Sequence, residues 1–137
     1  IRDQDISWYW PDAEVLQIGS TDIDGPDDDP VEIARSILNF AEYLVYTMGV
    51  QHVVISQLFF RNTAVCDNYN DLVAQVNDWV LAFLENSSCT TISFWRHFGF
   101  WDPDVRERIQ NRDQVHFNFL GNLKYYQSIK GAILSAL

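Results

Sequence analysis

Asp113 and His116 stand three residues apart near the end of a 137-residue chain. On a loop, that spacing lets the carboxylate accept a hydrogen bond from one imidazole nitrogen. The other nitrogen is then free to act as a general base. The same two residues also suit the polar turn ahead of a helix capped by Asn118. A base needs a proton to take, so hydroxyls near strand ends matter. Ser20 directly follows an expected strand; Ser56 falls inside one and reads as buried.

Two other stretches carry candidate chemistry. Phe94 to Trp101 is an aromatic loop, and Trp95, His97, Phe98 and Trp101 suit the wall of an apolar pocket. They equally suit a cover over the end of a sheet. His97 has no His or Cys close in sequence with which to share a metal. Asp22 to Asp29 is rich in oxygen ligands but lacks the order and terminal Glu of a calcium loop. It reads as a solvated loop that favours the amino end of the following helix. No metal and no cofactor is expected.

The elements that position these residues alternate. Glu14–Ile18 predicts a short strand ending at Gly19. Asp29, Pro30 and Glu32 form a strong helix start. Ala34, Ile37, Leu38, Ala41, Leu44, Val45 and Met48 then line one face, and Gly49 closes the helix. His52–Leu58 is nearly continuous in apolar character, as a central parallel strand is. A helix capped by Asp67 or Asn68 carries Tyr69, Leu72, Val73, Val76, Val80, Phe83 and Leu84. Thr90–Trp95 predicts a third strand, and Asp104–Gln110 a short helix. The last helix spans about Asn118 to Ala136, with Leu123, Tyr126, Ile133, Leu134 and Leu137 expected to pack inward. The order βαβαβ followed by helices implies one α/β domain over 1–137, with a parallel sheet covered on both faces.

Charge bounds the partners. Nineteen acidic residues against nine basic ones give a net charge of −10. Such a surface repels phosphates, which argues against nucleic acid and anionic membranes. No apolar run approaches the ~18 residues of a membrane span. The compartment is not readable: Cys66 and Cys89 leave both a disulfide and two free thiols open, and one sequon at Asn86 is expected by chance. A start at Ile1 reads as a piece of something longer.

The Asp113-Gln114-Val115-His116 block, taken with Val15-Leu16-Gln17-Ile18-Gly19-Ser20-Thr21-Asp22 upstream, resembles the SGNH hydrolase (GDSL-type esterase/lipase) superfamily along the whole chain. Val53 to Leu58, Phe94-Trp95-Arg96-His97 and Gly121 to Tyr126 are similar to a metazoan branch associated with retrotransposon reading frames. The resemblance implies a three-layer, flavodoxin-like parallel sheet. It implies His116 as base, Asp113 as its orienter, and Gly19 and Thr21 at the oxyanion hole. Thr21 stands where the family pattern has Asn. The Gly-Asp-Ser block that carries the family's nucleophile does not occur in this sequence.

The resemblance also implies that this chain holds only the third to fifth strands of the family's sheet, an N-terminally truncated version of the fold. The strand at 14–18 would then present an unpaired edge. The expectation is a domain without its own serine nucleophile, used for binding or assembly, with a protein partner or a second copy at that edge. The alternative is the C-terminal part of a carboxylic esterase whose nucleophile comes from upstream or from another chain.

Overall fold

The computed structural model describes residues 12–61, 66–100, 102–110 and 116–137. They form an α/β domain around a three-stranded parallel sheet in the order β1-β2-β3, compatible with a flavodoxin-like layout. The strands are β1 (Ala13–Leu16), β2 (His52–Ser56) and β3 (Ile92–Trp95). The α-helices are α1 (Pro30–Tyr46), α2 (Tyr69–Glu85), α3 (Pro103–Ile109) and α4 (Phe119–Ala136). A 3-10 turn, Ser20–Asp22, follows β1.

Helix α1 begins as its sequence dictates: the Asp29 side chain accepts from the Val31 amide at 2.9 Å, and Pro30 takes the first helical position. Asn68 stands at the N-cap of α2 but makes no side-chain cap bond. Its Nδ2 donates instead to the Pro26 carbonyl at 3.1 Å, tying the acidic loop to α2. All three strands are shorter than the spans expected from the sequence, and β1 begins one residue earlier, at Ala13. Beyond β2, the Asn77 side chain brackets Leu58, accepting from its N–H at 2.8 Å and donating to its C=O at 3.1 Å. A side-chain amide thereby replaces the ladder where the strand stops.

The two faces of the sheet differ in chemistry. Side chains alternate along a strand. Val53 and Ile55 of β2 join the hydrophobic core with Ala34, Ile37 and Leu44 of α1 and Val73, Val76 and Val80 of α2. The alternate residues Val54 and Ser56 point to the other face, which α4 covers through its contacts with β1 and β2. Helix α4 corrects one expectation. Leu123, Tyr126, Ile133, Leu134 and Leu137 are exposed, Leu137 by 75%. The buried positions of α4 are Gly121 and Ala132. Small residues let the helix axis approach the sheet, and the large ones are turned outward.

Cys66 and Cys89 are both free thiols. No helix among the described residues is long and apolar enough to cross a membrane.

Candidate functional site

Beneath α4 lies a buried polar network built on His97. The chain after β3 turns back through Gly99, held at φ 81, and drops the imidazole behind the sheet's carboxyl end. His97 is 0% exposed and Ser56 2%. Ser56 Oγ meets His97 Nε2 in a short hydrogen bond, and Ser128 Oγ lies 2.7 Å from Nδ1.

The neighbours assign each proton. Trp95 Nε1 can only donate, and it donates to Ser128 Oγ at 3.0 Å. Gln17 Oε1 can only accept, so it takes the Ser56 hydrogen at 2.5 Å. Ser56 Oγ then accepts from His97 Nε2–H, and Nδ1 of the neutral ring accepts the Ser128 hydrogen. Tyr125 donates to the same Gln17 oxygen at 3.0 Å. Gln17 Nε2 donates to the Gln57 carbonyl at 3.1 Å, and Gln57 Oε1 accepts from the His97 amide at 2.5 Å. This chain of donors and acceptors fixes a neutral imidazole in its Nε2–H tautomer. Burial pushes the His97 pKa down to about 4.

An aromatic box closes over this network. The Phe59 ring centroid lies 4.9 Å from His97, 4.9 Å from Phe100, 5.0 Å from Phe117 and 5.6 Å from Tyr125. Offset and edge-to-face pairs at these separations are favourable beyond the area they bury.

Outside the box an open cleft of about 480 Å³ lies past the carboxyl ends of β1 and β2, where open α/β sheets bind ligands. Its walls are Phe59, Phe60, Phe117 and Tyr125, with Gln17, Ser20, Arg61, His116 and Asn122 as polar groups. Gln17 and Tyr125 belong to both cleft and network, so the buried hydrogen bonds orient two groups of the cleft wall.

The sequence-expected residues divide. His116 is exposed and lines the cleft beside Ser20. Gly19 is buried at φ 108, where a Cβ would stand 2.8 Å from Ile37 Cδ1. Both the left-handed backbone and the close approach require glycine, and this residue starts the turn that carries Ser20 into the cleft. Thr21 belongs to that turn, but its side chain lies outside what is described. Asp113 and Trp101 lie outside the described residues. Trp95 and Phe98 border a separate shallow cavity of about 330 Å³ beside Lys124 and Gly131. His97 is sealed below them. Among the described residues no three metal-ligating side chains come together.

Sequence reasoning did not single out Gln17, Ser128, Tyr125, Phe59 or Arg61. Gln17 and Tyr125 are 108 residues apart, and His97 and Ser128 are 31 apart. No local spacing relates such partners. The one available signal was Ser56, a polar residue in an otherwise apolar strand, which needs a buried partner. Comparison with family models, with curated proteins and with solved structures finds no match.

Proposed function

We propose that the chain is an SGNH-hydrolase-derived domain that binds a ligand in the cleft beside His116 and does not hydrolyse esters with a nucleophile of its own. The observation that carries this reading is the fate of the Ser56–His97 pair. Its two members are sealed beneath the aromatic box, and the Ser56 hydrogen is committed to Gln17. It is therefore a structural pair. His116, by contrast, stands in the open cleft. On the SGNH reading Asp113 orients it, and Gly19 and Thr21 descend from an oxyanion hole. A base without an activated hydroxyl forms no acyl-enzyme.

The test is hydrolysis of p-nitrophenyl acetate by the chain alone. The expected rate does not exceed that of imidazole at equal concentration, and His116→Ala leaves it unchanged. Turnover abolished by both His116→Ala and Ser20→Ala would reverse the reading in favour of a serine esterase.

A second reading, assembly with a second copy of this chain, rests on the edge of β1. Among the described residues β1 pairs with β2 alone. The His52 amide donates to the Asp12 carbonyl at 3.0 Å, so Asp12, Glu14 and Leu16 turn their backbone groups toward β2. Ala13 and Val15 then point theirs away, at an edge that can accept an added strand. Val15→Pro removes an outward N–H and leaves the internal ladder intact. Light scattering should show a dimer or larger species for the parent chain and a monomer for Val15→Pro. A monomeric parent at high concentration would dismiss this reading.

A further inference from the structure

Among the described residues no acidic side chain lines the cleft, and Arg61 is the strong cation of its wall. Arg61 is also held. Its N–H donates to Asn70 Oδ1 at 2.9 Å, and its carbonyl accepts from Asn70 Nδ2 at 2.8 Å. Its guanidinium lies 4.7 Å from the centroid of the buried Tyr69 ring, and the Tyr69 hydroxyl donates to the Ser20 carbonyl at 3.3 Å. The ion pair among the described residues is Arg96 with Asp78, far along the chain; Arg61 is stacked on a ring and has no carboxylate from these residues. A planar fork of donors held on an aromatic face matches a carboxylate. Asn122, near the amino end of α4, adds an amide donor on a side where the helix dipole favours an anion. The rest of the wall is aromatic.

We propose that the cleft binds a small carboxylate with an aromatic or short apolar body, Arg61 taking the carboxylate and Phe59, Phe117 and Tyr125 the body. This rests on the reading of the cleft as a binding site and adds the charge and class of its ligand.

The experiment titrates the chain with phenylacetate and with its neutral isostere phenylacetamide, followed by amide chemical shifts. Phenylacetate should bind at least tenfold tighter than phenylacetamide. Arg61→Gln should weaken phenylacetate tenfold or more and change phenylacetamide less than twofold. Half-molar sodium chloride should weaken the acid alone. Equal affinities for the acid and the amide, binding of neither, or an unchanged phenylacetate affinity in Arg61→Gln would overturn the proposal. Should Arg61→Gln fail to fold, the acid-against-amide and salt comparisons on the parent chain decide it. Ester turnover would sink the non-catalytic reading and leave this one standing. Equal affinity would do the reverse.

Discussion

Gly121→Ala should destabilise the domain by about 3 kcal/mol, because it overpacks a rigid junction. Thermal denaturation should show a midpoint lower by roughly 10 °C for a chain of this size. Gly121 lies in the first turn of α4, where an added Cβ would stand 2.3 Å from the Ile109 carbonyl oxygen, 2.9 Å from Phe117 Cβ and 3.1 Å from Ile109 Cβ. The obstacle is backbone, so no rotamer change relieves it. That carbonyl also accepts the Asn118 amide at 2.8 Å. The Asn118 side chain in turn caps Gly121 at 2.9 Å and donates to the Arg108 carbonyl at 2.7 Å. The end of α3 and the start of α4 are thus tied at one point, and Phe117 and Asn122 of the cleft hang from it.

The sign of this effect is diagnostic. In an unobstructed helix Gly→Ala gains roughly 0.5–1 kcal/mol. Gly131 of the same helix is the control: its Cβ would meet the Trp95 ring at 3.2 Å, a side-chain contact that can shift. Gly131→Ala should therefore be near neutral. An unchanged or raised midpoint for Gly121→Ala would show that the junction is looser than described.

Acid should cost the domain about 3 kcal/mol between pH 6.5 and pH 4 through His97 alone. One pKa unit corresponds to about 1.4 kcal/mol, and burial holds the folded pKa at about 4 against the ordinary histidine value of 6.5. The unfolded chain takes up a proton as pH falls below 6.5, and the folded chain does not until about 4. Stability is full above the unfolded value, falls across that window and is flat below it for this group. The network explains the resistance. Ser128 already gives its hydrogen to Nδ1 and accepts from Trp95, so a protonated ring would face a second donor. Glu14 works in the opposite direction. Burial raises its carboxyl above 4.5, so its contribution is lost as pH rises. Urea unfolding of the parent chain and of His97→Gln across this range isolates the histidine. The parent should show the steeper loss on acidification, and identical pH slopes would remove His97 as the cause.

The sequence by itself determined the order of elements and one face of the sheet. Asp29-Pro30 starts α1 because a carboxylate cap and a fixed φ act locally. The apolar stripes of α1 and α2 appear at helical spacing because burying large side chains is what holds them to the sheet. Gly19 was legible for the same reason, as a break after a strand.

The tertiary structure alone decided the other face. Helix α4 does carry a periodic stripe, but it is Gly121, Tyr125, Ser128 and Ala132, and small or polar side chains leave little hydrophobic signal. Its large apolar residues suggested the opposite face. They are turned outward because His97 and the Phe59 box already fill the space under the helix. The cleft follows from that choice. Gln17, Arg61, His116 and Tyr125 come from four separated segments, and only the packing of α4 against β1 and β2 brings them to one wall.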